Sequence, residues 1–450
     1  MLARHCAKAG QTEKASLLLG RAGQQSFARW AMREAAEQLS RALGQIATLP
    51  GTAALRREQI KLKVALANAL AHLKGYAAPE TRTSLDQARS LIERAEALGE
   101  PPEDPLLLFS VLHSFFTASF VAFNGDALRD LAGQYLALAE KQKATFLLVT
   151  GHALMGVSLY HTGDIAGGRA HLDQAMALYE PAVHGPLATR FSHDPGFAAL
   201  CQRVRALWLL GYPDAALRDA EHALTIGRGT DHAGTLMTAL FHSAVLHLLV
   251  GNYTASAAQA QELAALAEKK GALSWKVAGT SWQGVVYALT GKASSAVQIL
   301  TSGITELRSM GTTISIPQRL SDLARAHAEL GQYDAAWRCI NEAMTLTETS
   351  NERWFEPDLH RIAGDLTLMS PEPDTAKAEA FFERALTIAR QQQAKSWELR
   401  AAMSMARLWR DQGKRDEARD LLAPVYGWFT EGFDTRDLKE AKGLLEELAT

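Results

Sequence analysis

Glycine returns at a fixed interval in this chain. Gly211, Gly251, Gly291 and Gly331 stand 40 residues apart, inside the similar strings LLGYPDAALRDAEHAL, LVGNYTASAAQAQEL, LTGKASSAVQILTSG and ELGQYDAAWRCINEAM. A period of this length means stacked supersecondary units rather than an ordinary globule. The ladder extends upstream to Gly163 and Gly125 and downstream to Gly413. One rung without glycine is expected near Pro373, and another degenerate rung near Thr83. Five residues past successive rungs stand Gly168, Ala216, Ser256, Ala296, Ala336, Ala378 and Ala418; twelve past most of them stand Ala175, Ala223, Gly303, Ala343 and Ala385. Seven residues is about two helical turns, so the two small positions share a face. Small side chains there let antiparallel helices approach closely, and the glycine supplies the positive φ of the turn between them.

Forty residues accommodate two helices of ~15 residues and two short connections. One hairpin cannot bury its apolar face alone, whereas stacked neighbours can. No β alternation of useful length occurs, and only 14 Pro are spread over 450 residues. The expected fold is all-α, a right-handed α-solenoid of about ten helical hairpins. Its expected organisation is a single array over 1–450. Residues 1–50 form an N-terminal hairpin, 51–180 degenerate repeats, 181–196 a loop insertion, 197–424 regular repeats and 425–450 a C-terminal capping helix. Gly99–Pro105, Thr312–Pro317 and Ser370–Asp374 combine Pro with turn formers and read as helix connections. Pro424 and Gly427 are expected to interrupt the last repeat helix. Asp434 or Thr435 would then cap a final amphipathic helix carrying Leu438, Leu444, Leu445 and Leu448. The first hairpin, lacking a predecessor, is expected to leave an apolar end that wants a partner.

The formal charge of −2 lacks the basic footprint of a nucleic-acid binder. Leu106 to Phe123 is uncharged for 18 residues, the lower limit for a span, but its His and hydroxyl side chains suit a buried repeat helix better. The N-terminus carries no apolar run before a small-residue cleavage site. Cys6, Cys201 and Cys339 are far apart with no CxxC pair, and read as small buried thiols in a reducing compartment. These features predict a cytoplasmic protein with no nucleic-acid or membrane partner.

The rung motif resembles the tetratricopeptide repeat (TPR); Gly331, Tyr333, Ala336 and Ala343 carry its pattern in one unit, although the period exceeds the standard 34 residues. Three longer strings are more specific: HDPGFAALCQRVRALWLLGYPDAAL, ERWFEPDLHRIAGDLTL, and the segment from Gln391 to Leu448. Together they resemble the C-terminal repeat region of bacterial multidomain class III adenylate/guanylate cyclase–ATPase signalling proteins. In that family a cyclase or other output domain and a nucleotide-binding ATPase module precede the repeat arm. The opening LARHCAKAGQTEKASLLLGRAGQQSFARWAMREAAEQLSRAL resembles the junction where the arm begins. No GxxxxGK[ST] phosphate loop is present here, because Gly291-Lys292 and Gly413-Lys414 are followed by Ala and Arg. The chain therefore reads as the repeat arm alone, and the family's activity is not carried over.

Chemistry-bearing patterns are sparse. His242 and His247, five apart, do not share a helical face well; no HExxH occurs; Gly227-Arg228-Gly229 follows a helix, not a strand. No catalytic residue, cofactor or metal site is assigned. The eight extra residues around PAVHGPLATRFSHDPG make the best loop candidate, since solenoid insertions often map to a binding face. His184, Arg190, His193 and Asp194 are its candidate contacts, with Trp208 nearby. Asp194 and Pro195 equally suit a helix start. Arg353, Trp354, Glu356 and His360, with Trp397, Trp409 and Trp428, could line a concave groove, since Trp and Arg are common recognition anchors; packing between hairpins is the plainer role for such a Trp. The expected function is a non-enzymatic interaction and regulatory arm that binds a protein or peptide partner and is coupled to a cyclase or ATPase module. The alternative is a sensor domain that binds a small effector on its concave surface.

Overall fold

The structure, a computed structural model, describes all residues except 1–5, 7, 8, 76, 77, 100–105, 185–193 and 450. Among the described residues every regular element is a helix. Ten antiparallel hairpins among the described residues follow one another as a right-handed TPR-like solenoid, from Thr12–Ala28 with Met32–Ile46 to Lys395–Asp411 with Arg415–Gly427, with the short helix Pro181–His184 between the fourth and the fifth; Arg436–Ala449 packs on the tenth. Arg190 and His193 of the loop insertion, and most of the Gly99–Pro105 joint, lie outside the described residues.

The rung residues do what their chemistry requires. Gly331 turns the chain at φ +73°, in the left-handed region, and a Cβ there would meet nothing within 4 Å; backbone conformation, not crowding, selects glycine. Beyond the turn, Ala296, Ala336 and Ala418 are fully buried where paired helices meet. Asn252, Asp164 and Asp374 accept the N–H three residues on and start their helices.

The two helices of a hairpin differ in kind. Second helices such as Tyr253–Lys270 bury one stripe (Ser256, Ala260, Leu263, Ala267) and leave the rest to solvent. First helices such as Ala233–Leu249 and Pro195–Leu209 are buried almost all round. An all-round apolar helix needs neighbours on every side, and the superhelix supplies them by winding onto itself. The carbonyls that end one first helix are orphans of that helix; they are taken up by chain about 190 residues on. Thr313 and Ile314 donate to the Val121 carbonyl at 2.9 and 3.1 Å. Arg353 and Trp354 donate to that of His161 at 2.8 and 3.2 Å, and Arg436 to that of Val250 at 3.3 Å. Ser396 Oγ donates to the Trp208 carbonyl, 188 residues away. The inner face is therefore a seam between superhelical turns, with cavities left inside it, rather than an open trough.

Several local expectations change. Gly125 opens a helix whose cap is Asn124. Its glycine serves the seam: a Cβ there would lie 2.8 Å from Thr162 Cγ2 and 3.0 Å from the Asn351 carbonyl. The degenerate rung near Thr83 moves upstream, because Ala53–Lys74 ends at Gly75 (φ 111°) and Pro79 begins the next helix. Pro424 does not interrupt its helix, which runs through to Gly427. Of the two expected caps, Asp434 is exposed, while Thr435 directly precedes the last helix but turns its hydroxyl to the Gly432 carbonyl; Arg436 at the helix N-terminus donates to the Val250 carbonyl. Leu438, Leu444 and Leu448 are buried as the amphipathic reading requires. Leu106–Val121 spans 16 residues, and among the described residues no helix is long and apolar enough to cross a membrane.

Candidate functional site

First helices of successive units lie side by side, so charges at similar register on Ile316–Glu329, Glu356–Met369, Lys395–Asp411 and Arg436–Ala449 are brought together. They line a cleft of about 360 Å³. On its floor Arg361 donates to Asp358 at 2.5 Å and to Asp365 at 2.6 Å. Arg400 donates to Asp437 at 2.8 Å and to the Leu249 carbonyl at 2.6 Å, while its guanidinium lies 5.2 Å from the Trp208 ring and 5.1 Å from that of Trp397. Toward the mouth Arg407 pairs with Glu440 at 3.1 Å. Side-chain exposure rises from 4% at Asp358 to 42% at Arg407, so the array grades from sealed to accessible.

Burial and charge oppose each other along this floor. Burial works against ionisation of Asp358, but Arg361, Arg325 and Arg400 outweigh it and hold the carboxyl below the usual range. At Asp322, one turn from Arg325 on the same helix, burial outweighs the pull of Arg325 and its neighbours and pushes the carboxyl up to about 7. Pairs held in this way present fixed charges and aromatic walls, suited to binding polar chain segments. Among the described residues no group of three or more His, Cys, Asp or Glu is arranged to hold a metal ion.

The sequence candidates scatter. Asp194 caps Pro195–Leu209 by accepting from Phe197 N at 2.9 Å, and it also accepts from the Tyr179 hydroxyl. His184 is buried and accepts from the Glu180 N–H at 2.9 Å. Trp208 is buried edge-on to Trp397 at 4.7 Å and reaches the cleft through Arg400. Trp354 is fully buried, with its indole N–H on Glu352 at 3.0 Å. Arg353 donates to Asn351 at 2.7 Å and Glu356 at 3.3 Å, at the edge of the seam. His360 packs its ring against Phe381 at 6.2 Å, and burial lowers it to about 4. Sequence reasoning missed Asp322, Arg325, Asp358, Arg361, Arg400 and Asp437. Their signal was present: ionised groups inside helices otherwise patterned for burial, recurring from unit to unit.

No protein-family model matches the chain. An uncharacterized protein of Rhizobium meliloti (strain 1021) is 23% identical over 418 residues, covering 90% of this chain and 39% of that protein. The chain thus spans about two fifths of the length of this curated relative. Among solved structures it is similar to the Rap protein complexed with competence and sporulation factor, at 13% identity and a TM-score of 0.52, covering 91% of this chain and 99% of that one. It is also similar to the APC/C hetero-tetramer Cut9–Hcn1, at 12% identity and a TM-score of 0.53, covering 100% of this chain and 89% of that one. At these identities the likeness shows the helical-repeat fold.

Proposed function

We propose that this chain is a non-catalytic interaction and regulatory arm whose working surface is the charged cleft of its last units. The carrying observation is the row of locked Arg–carboxylate pairs on three neighbouring helices, joined by Arg325 of a fourth at 3.7 Å from Asp358 and graded from a buried floor to an accessible mouth. Such a surface fits a protein or peptide segment with charges of both signs, because fixed charges select a register and disfavour wrong ones. The likeness to Rap and to Cut9, each solved with another component, supports a binding role. Resemblance to cyclase–ATPase signalling proteins supports an output module of that kind as the partner, and a cytoplasmic setting. Trp208, Arg353, Trp354 and Glu356 belong to the reading as supports of the cleft and seam; Arg190, His193, Asp194 and His360 remain candidates for a second contact area.

The test is site-specific photo-crosslinking in cells from position 407 at the cleft mouth, with position 262 on an outer helix as control. A partner captured at 407 is then purified and titrated. The expected result is binding by the native chain and at least tenfold weakening by Arg407→Glu or Glu440→Arg. Equal capture from both positions, indifference to both reversals, or ATP hydrolysis by the purified chain overturns the reading.

A further inference from the structure

A second cavity, of about 270 Å³, lies inside the seam, apart from the charged cleft. It approaches the lower bound of small-ligand sites, ~300 Å³. Phe116, Phe120, Leu154, Val157, Phe241 and Trp275 make its walls, and Arg205 and Arg319 stand among them. Those two residues are only 4% and 3% exposed. The Nε of each is buried with no hydrogen-bond partner. The Arg205 guanidinium lies over the Trp354 ring at 4.8 Å, and that of Arg319 over Trp282 at 4.9 Å. Arg319 also donates to the Ser315 carbonyl at 3.1 Å.

A structural ion pair would close these forks on a neighbouring carboxylate such as Glu352, whose charge acts on Arg319. Its oxygens are instead engaged by the Ser315 N–H at 3.0 and 3.1 Å and the Trp354 indole at 3.0 Å. Burial of Arg319 lowers its hold on the proton to about 10, and the charge of Arg205 adds to the effect. A buried cation without a hydrogen-bonded counter-ion is costly. His242 is driven to about 3 by burial, then by Arg205, so it adds no charge. Burial pushes Glu352 up to about 7, so it offsets the two guanidiniums at most in part, and an anionic group on an occupant would supply the rest.

We propose that this cavity binds an amphiphilic monocarboxylate, its carboxylate at Arg205 and Arg319 and its apolar body along the Phe and Trp walls. Planar forks match a carboxylate in two-point geometry. The lining includes residues 113–157 of one superhelical turn and residues 307–319 of the next, beside the place where Thr313 and Ile314 bond to Val121, with residues 195–205, 238–242 and 274–278 completing it. An occupant therefore touches both turns and tightens the seam, which makes it an effector of winding.

The experiment titrates sodium decanoate, below its micellar range, into the full chain by calorimetry, with decanol and decylamine as matched controls, and follows the melting temperature. Decanoate is expected to bind and to raise the melting temperature through linkage, at least tenfold more tightly than decanol, with no binding of decylamine. Arg205→Met and Arg319→Met should each lose the preference for decanoate over decanol. Because an arginine variant could fail to fold, Ala278→Phe, which fills the cavity and keeps both guanidiniums, serves as the second variant and should abolish decanoate and decanol binding together. Equal binding of decanoate and decanol, no binding of either, or unchanged decanoate affinity in the folded variants overturns the proposal. No partner is needed, so the result is independent of the charged cleft.

Discussion

Asp322 sits among Arg325, Asp358, Arg319 and Arg400, yet no side chain donates to its carboxylate among the described residues. Burial decides its behaviour: the carboxyl is pushed up to about 7 when folded, from an ordinary 3.8. The native state thus binds its proton more tightly than the unfolded chain does. This stabilises the fold fully below about pH 4, and the contribution is lost as pH rises through 7. Asp322→Asn is neutral throughout. Relative to the native chain it should be close to neutral at pH 4 and more stable by ~2–4 kcal/mol at pH 8, at 1.36 kcal/mol per pK unit. The buried histidines titrate with the opposite sign but are common to both proteins, so they cancel in the difference. Urea midpoints at the two pH values measure it. A constant gap across this range would show that Asp322 is ionised throughout.

At the scale of the helix pair, two glycines of the repeat are required for different reasons. Gly331 has free space and a left-handed φ of +73°, so Gly331→Ala should cost ~1–2 kcal/mol of backbone strain. Gly168 faces Gly156 across its hairpin, and a Cβ there would lie 2.7 Å from Tyr160 Cβ and 2.8 Å from the Gly156 carbonyl. Gly168→Ala should cost about 1–3 kcal/mol by forcing the helices apart. Gly331→Asn should recover most of the first loss, because Asn tolerates the left-handed region, while Gly168→Asn should worsen the second. Hydrogen exchange of the two hairpins under mild urea reads both. This distinction marks what sequence made legible. Period, turn and small-residue register follow from constraints within one hairpin, so Ala336 and Gly331 could be placed from their neighbours alone. Gly125 could not: a side chain there would meet Thr162 of the next hairpin and Asn351, more than two hundred residues on. The cleft was hidden partly for the same reason: Arg400 meets Asp437 of the neighbouring helix, but Trp208 and Leu249 only once the superhelix has wound.

Winding is a property of the whole molecule, and its hydrogen bonds are individually modest at ~1 kcal/mol each. What holds the turns is their repetition at Val121, His161, Trp208 and Val250. The last unit adds a clasp of a different kind. Glu431 accepts from Ala215 N at 2.9 Å and Asp214 from Gly432 N at 3.0 Å, so two carboxylates cross-bind backbone of opposite turns. Trp428 lies so close to Gly211 that a Cβ there would be 2.5 Å from its ring. The clasp joins residues 211–215 to residues 428–432 and reinforces the weak seam bonds at that place. Removing it with Asp214→Ala and Glu431→Ala should therefore act in a graded way. Exchange should accelerate at least tenfold at Ala215, Gly432 and Arg436, and stay slow at Arg353 and Trp354, which remain bonded to His161 inside the array. Uniform acceleration at all five amides would instead mean that the turns separate as one rigid step, and would make the clasp a switch for the entire superhelix rather than the lock on its last unit.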